Sequence, residues 1–354
     1  VIFSTQNRQE GNSVRFDEVV LAIMKAVDGQ RTVSSPYHLI KGKKSGQTIQ
    51  DIGYFRLHPY FAVLPKLDKQ DYLASIDRLQ AQGFLIPNDN KVQLHGSAFA
   101  LEIPSAPLNG WKYRGNENRF FARLSLVVQT MSNFMQGQKR FDPVVTDETV
   151  QAWAKAYLKR IDFRSSAVQE AFKNQLENSL ALAKTSEAHK AILMERLSGC
   201  GVGGLTWDQL AMEHGLLPID VKIAAVEALH AWLDVLEGME YPLLAGMLEG
   251  IIQQSALTES AKRTQNLSER GFSLQQIAEL RQLKTSTIED HFVEMAMNDP
   301  AFSSAPFMDE QLFQSIHHIS KELKTMRLRD IKERLPEASY FQIRLALAMR
   351  GDVI

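Results

Sequence analysis

The sequence predicts a mainly α-helical protein with a winged helix and short β-hairpin at the N-terminus, an all-helical middle and a C-terminal helix-turn-helix domain. Three observations lead there. Apolar residues recur at i, i+3, i+4 and i+7 through most of the chain. A short stretch near residue 85 switches to a strand-like pattern around a turn. A pair of capped amphipathic segments near residue 280 is joined by a tight connection. At 354 residues the chain exceeds one ordinary core, taking roughly 100–200 residues per domain. The expected divisions are 1–105, 106–254 and 255–354.

The first helix carries Phe16, Val19, Val20, Ile23, Met24 and Val27 on one stripe. A second start signal is Ser35 with Pro36 in the first helical position, and Gly42 ends that helix. Asp68 caps a third, whose expected buried positions are Tyr72, Leu73, Ile76 and Leu79, with Gly83 as its left-handed terminator. Phe84 to Ile86, the turn residues Pro87 to Asn90, and Val92 to Leu94 then read as the hairpin. Helices followed by a hairpin is the order of a winged helix.

Pro104, Pro107, Asn109 and Gly110 punctuate the next boundary. Beyond it the stripes are helical, as in Val150, Trp153, Ala154, Tyr157, Leu158 and Ile161. In the last hundred residues Ser273 is placed to cap a short helix bearing Leu274, Ile277 and Ala278. Leu283 lies in the connection, and Thr285 or Ser286 caps a second helix burying Ile288, Phe292 and Met295. A weaker copy aligns without a gap 67 residues upstream, pairing Thr206 with Ser273, Ala211 with Ala278 and Val221 with Ile288. Residues 328–349 offer a third helix, proline turn and helix.

Composition and charge narrow the function classes. A chain 44% hydrophobic and 23% charged has enough apolar content for packed cores, which excludes global disorder. The net charge of −1 provides no overall field toward nucleic acid or an anionic membrane, so any such binding must be local. The balance hides a gradient: residues 1–99 hold 12 basic and 9 acidic side chains, and residues 100–254 hold 15 and 18. A single cysteine, Cys200, permits no intrachain disulfide, no apolar run reaches membrane-spanning length, and the N-terminal stretch is polar; a cytoplasmic location is expected.

A search for catalytic constellations is negative, and no enzyme activity, metal or cofactor is expected. Gly199 to Gly204 matches GxGxxG, but the preceding residues read as helix, whereas a dinucleotide site needs a strand there. The basic stretch at Lys41 lacks the GxxxxGK[ST] spacing of a phosphate loop. The histidines show neither HExxH nor ligand spacing, and the adjacent His317 and His318 point to different helix faces.

Local charge marks three candidate nucleic-acid contacts. Lys41, Lys43 and Lys44 form a compact basic turn able to pair with phosphates. Lys284, Thr285 and Thr287 open the second helix of the helix-turn-helix. Lys324, Arg327, Arg329 and Arg344 belong to a basic group in the final helices, interspersed with Glu322, Asp330 and Glu333. Glu289, Asp290 and Glu294 read as outward positions on the second helix, where a base-reading helix carries Arg, Lys, Asn or Gln. Backbone-directed binding or protein contact is therefore expected over sequence reading. Of the neighbouring aromatics, Phe341 is expected in the core.

The segment GFSLQQIAELRQLKTSTIEDHF followed by LRDIKERLPEASYFQIRLALAM resembles the helix-turn-helix domain at the C-terminus of many bacterial RecQ-type DNA helicases. RTVSSPYHLIKGKKSGQTIQD, at 31–51, resembles the start of YpbB-type proteins of Firmicutes, which carry that domain without the motor. The resemblance implies an accessory protein of DNA replication or repair that binds DNA and partners a RecQ-type helicase, the motor being a separate polypeptide. It implies roles for Lys41, Lys43, Lys44 and Gln47 in the N-terminal core, and for Lys284, Thr285 and Thr287. The alternatives are an adaptor that docks on the helicase without touching DNA, and a transcription regulator.

Overall fold

The computed structural model describes residues 15–86, 93–100, 107–238, 240–253 and 255–349. Among them are nineteen α-helices, a 3-10 turn at His58–Tyr60 and no β-element longer than a single bridge. The N-terminal part comprises α1 (Arg15–Val27), α2 (Ser34–Ile40), α3 (Gly46–Tyr54), α4 (Lys69–Ala81) and α5 (Gly96–Ala100). The stripe from Phe16 to Val27 is buried as its spacing requires, packing on Leu39, Ile40, Ile52, Ile76 and Leu79. Asp68 caps α4 through Gln70 N. Leu73, expected in the core, is 44% exposed.

The winged helix is not supported. Leu85 and Leu94 form one antiparallel bridge, flanked by bonds from Ile86 N to Gln93 O and from His95 N to Phe84 O. His95 Nδ1 then accepts Ser97 N and the chain enters α5, so the pairing stops before a ladder forms. The turn residues 87–90 lie outside the described residues. Two smaller corrections concern helix starts. α2 begins at Ser34, which places Pro36 inside the first turn, where N–H groups lack an intrahelical partner in any case. α16 (below) begins after Lys284 with no side-chain cap from Thr285 or Ser286.

The middle comprises α6 (Gly110–Tyr113), α7 (Glu117–Met135), α8 (Glu148–Arg160), α9 (Ser166–Ala181), α10 (Glu187–Glu195), α11 (Trp207–His214), α12 (Pro218–Gly238) and α13 (Pro242–Ala245). α12 is buried on every side, the pattern of a helix that runs through a core rather than over it. Its first turns supply Ile219, Ile223 and Val226 to the N-terminal core. Val221, Ala224 and Ala225 meet Ile192 and Leu210, and Trp232, Leu233 and Leu236 pack with Phe120, Leu124 and Tyr157. Polar residues on such a helix need internal partners. Asp220 accepts Phe16 N at 2.9 Å, Glu227 pairs with Arg15 at 2.8 Å, and His230 Nδ1 accepts Asn109 N at 3.0 Å.

The C-terminal part comprises α14 (Glu259–Glu269), α15 (Leu274–Arg281), α16 (Thr285–Asn298), α17 (Glu310–Glu322), α18 (Leu328–Arg334) and α19 (Tyr340–Ala348). The 67-residue repeat is visible atom by atom. Thr206 with Gln209 and Ser273 with Gln276 each close a capping box. Gly215 and Gln282 both end their helix in the left-handed conformation, at φ 64° and 52°. The second helices start at Pro218 and Thr285. His214 bonds Glu195 at 2.7 Å, and its counterpart Arg281 bonds Ser260 O at 2.8 Å, each tying the unit's middle helix back to its first.

Two predictions follow from these internal partners. Arg15→Ala leaves Glu227, 1% exposed, with only His189 at 3.3 Å. We expect a loss of about 2–4 kcal/mol in urea unfolding, partly restored when Glu227 is also replaced by Leu. His291 is buried beside Thr264 Oγ1 at 2.8 Å, and burial together with the Arg281 charge pushes its imidazole down to about 4. The folded value lies below the model-peptide value of about 6.5, so this contribution is intact above pH ~6.5 and lost as pH falls toward ~4. Urea midpoints between pH 7 and 4.5 should fall less steeply in His291→Gln than in the wild type.

Candidate nucleic-acid interface

The basic turn is built by Gly42, at φ 75°, where an added Cβ would meet Ala62 Cβ at 2.5 Å. Lys41 folds back onto Leu67 O at 3.2 Å and the Tyr37 hydroxyl at 3.3 Å. Lys43 and Lys44 are left exposed, with no ion pair among the described residues. Ser45 Oγ accepts Thr48 N and starts α3. Gln47 is exposed and donates to Asp51 Oδ1 at 2.8 Å, where Arg31 Nε also arrives at 2.7 Å. Burial pushes the Asp51 carboxyl up, opposed by Arg31 and Gln47. Burial and the charges of Lys43, Lys41 and Lys69 push the His38 imidazole down. Of these groups, His38, Lys43, Ser45, Gln47 and Asp51 line a pocket of about 140 Å³ between α2 and α3.

α3 lies directly on α16. A Cβ at Gly46 would meet Asp290 Oδ2 at 2.3 Å, and one at Gly53 would meet Met297 Cε at 2.1 Å. Positions seven apart on one helix thus meet positions seven apart on the other, in the same order. The two helices run parallel, and their N-termini point the same way. Lys284 precedes Asp290 by six residues, about 9 Å of helix rise. Tyr54 Oη donates to Arg344 O at 2.8 Å, and Gln30 Oε1 accepts Met326 N at 2.7 Å, completing the contact between the two ends of the chain.

This packing overturns the outward reading of Glu289, Asp290 and Glu294. Glu289 and Asp290 are part-buried and pair with Arg344, while Glu294 is buried and accepts both the N–H and the hydroxyl of Thr258. No residue from Ile288 to Asn298 is exposed. The face of α16 that would enter a major groove is covered. Only its start reaches solvent: Lys284, Thr285 and Ser286 are exposed and Thr287 is half-buried.

The basic group of the final helices is largely spoken for. Arg344 holds Glu289 and Asp290, Arg327 donates to Gly29 O, and Arg329 pairs with Glu333 at 3.0 Å. Lys324 is exposed and has no ion pair among the described residues. The structure therefore brings together Lys43, Lys44 and Gln47 near α16, and leaves Lys324 and Arg329 outside that group. Phe341 is buried and Tyr340 is 51% exposed. The Arg31 and Asp51 pair escaped sequence reading because its members are 20 residues apart with no pattern between them. Also unforeseen is the apolar turn of the first repeat: Met212, Leu216 and Leu217 are 85%, 40% and 40% exposed.

Gly199 to Gly204 forms a loop between α10 and α11, with Cys200 N donating to Ser132 Oγ, as expected of a helix connection. The described residues include no cluster of three metal-ligating side chains and no helix long and apolar enough to cross a membrane.

Comparison with known proteins places these features. The family described as a helix-turn-helix domain matches residues 260–347, which span α14 to α19. This match suggests a DNA-associated protein. No solved structure matches the chain. Protein YpbB of Bacillus subtilis (strain 168) is 34% identical over 348 residues, covering 94% of this chain and 96% of the relative. The resemblance read from residues 31–51 and from the final helices extends over almost the whole length of both proteins, and the chain belongs to the YpbB family.

Proposed function

We propose that the chain is a non-enzymatic, DNA-associated accessory protein that grips the phosphate backbone at the end of the molecule toward which α3 and α16 begin. The observation that carries this reading is the parallel pairing of those helices. Two helix N-termini point one way, and the nearby Lys43, Lys44 and Lys284 are exposed and without ion pairs among the described residues. Helix N-termini favour anions through free N–H groups and the macrodipole. Contacts of this kind position nucleic acid without reading its sequence, and the covered face of α16 offers no base-reading surface. A transcription regulator is correspondingly disfavoured.

The partner is a RecQ-type helicase acting in replication or repair, a reading supported by the likeness of the final helices to the domain such helicases carry. A protein-docking role is favoured separately by one comparison between the repeats. Where the second repeat offers Glu279, Leu283 and Lys284, the first offers Met212, Leu216 and Leu217, all exposed. An exposed apolar turn suits a protein surface.

Fluorescence anisotropy on duplex, single-stranded and forked DNA across a salt series tests the DNA reading. Three phosphate contacts give a duplex slope of log K against log salt near −2.7, and Lys43→Glu with Lys44→Glu lowers its magnitude by about 2. Negligible binding to all three DNAs at low salt, with Leu217→Asp abolishing helicase capture, leaves the adaptor role alone.

A further inference from the structure

The end of α7 lies outside the helix-turn-helix match and presents apolar side chains to solvent. Phe134, in its last turn, is 39% exposed, and Met135 beside it is 63% exposed. Gly137, at φ 73°, reverses the chain, and Gln138 N donates to Asn133 O at 2.9 Å. Gln129 then holds Asp142 O and Val144 N, both at 3.0 Å, so residues 138–144 run back along α7. From the other side Phe163, three residues past the end of α8, meets Phe134 edge to face with 5.3 Å between ring centroids. Cations are interleaved with these rings. Lys139 and Arg140 precede Phe141, Lys159 and Arg160 close α8, and Arg164 lies over Phe163 at 5.3 Å. All five are exposed, and none has an ion pair among the described residues. The helix macrodipole accounts for Lys159 and Arg160, but Lys139, Arg140 and Arg164 lie beyond the helices.

Residues 134–142 and 159–164 together hold five basic side chains against two acidic ones, Asp142 and Asp162. Over residues 100–254 the acidic side chains are in excess, so the positive charge is concentrated here against the trend of its surroundings. We infer that this end of the middle helices takes a single strand of DNA, with a base on the Phe134 ring and phosphates on Lys139, Arg140 and Arg164. A single strand offers every base as a π-face, whereas a duplex hides those faces in its stack. Lysine is depleted from the cores of protein interfaces, which sets this surface apart from the apolar turn of Met212, Leu216 and Leu217. The inference rests on the DNA association proposed above, but on none of the residues at the α3 and α16 end.

The test uses the full chain with a labelled single-stranded dT oligomer and with a duplex. Phe134→Ala should weaken the oligomer about tenfold, the loss of one stacked base, and Phe134→Tyr should restore it. Lys139→Glu with Arg140→Glu, at exposed positions outside the helices, should reduce the magnitude of the single-strand slope of log K against log salt by about 1.4. An iodouracil-substituted strand, cross-linked to the wild type by light and mapped by mass spectrometry, should attach at Phe134 or Phe163. Lys43→Glu with Lys44→Glu should leave oligomer binding unchanged. No oligomer binding by the wild type at low salt overturns the proposal, as does an affinity that survives both Phe134→Ala and the double charge reversal, even if the duplex is bound. Cross-links confined to residues 43–47 overturn it too. Oligomer binding that depends on Phe134, with no binding of the duplex, keeps this surface and removes the grip at α3 and α16.

Discussion

The architecture depends on one constraint: the second helix of each helix-turn-helix repeat is a core helix. α12 is buried along most of its length and joins three hydrophobic clusters, so the N-terminal helices, α10 with α11, and the middle helices all pack on it. α16 holds the corresponding place in the C-terminal part, enclosed by α14, α15, α19 and α3. Hydrophobic burial of this kind stabilises by roughly 25 cal/mol per Å² of apolar surface removed from water, and it is incompatible with a helix kept free for a DNA groove.

From that constraint follows the character of the candidate interface. A helix enclosed along its length can present only its ends, and α16 presents its N-terminus, where Lys284, Thr285 and Ser286 are exposed. The charges Glu289, Asp290 and Glu294 are the internal counterparts of this arrangement. Their Arg344 and Thr258 partners are intramolecular, and they fix α16 among the C-terminal helices instead of repelling phosphates. The neutral net charge fits the same picture, because most basic residues of the final helices are matched within the fold.

Much of the fold was legible from local patterns, since capping residues and helical periodicity act over a few residues. The capping boxes at Thr206 and Ser273, the stripe of α1 and the 67-residue repeat all belong to this class. The failures have a common cause in long-range packing. Leu85 and Leu94 carry a strand pattern, but whether a bridge grows into a ladder depends on where α5 takes the chain. Glu294 looks like a surface residue until Thr258, 36 positions away, meets it, and α3 became visible as a partner of α16 only through Gly46 and Gly53. The candidate basic turn was readable because Lys43 and Lys44 are contiguous, whereas the pocket beside it depends on Ile23, Asp51 and Leu57 converging.

Hydrogen exchange measured by mass spectrometry on the full chain without ligand tests the central claim most directly. Interior helices exchange only through the largest openings, so amides of 221–236 and 288–298 should be the last to exchange, at rates set by global unfolding. Residues 288–298 exchanging early, on the timescale of the surface helices, would contradict a buried α16 and restore it as a helix free to enter DNA.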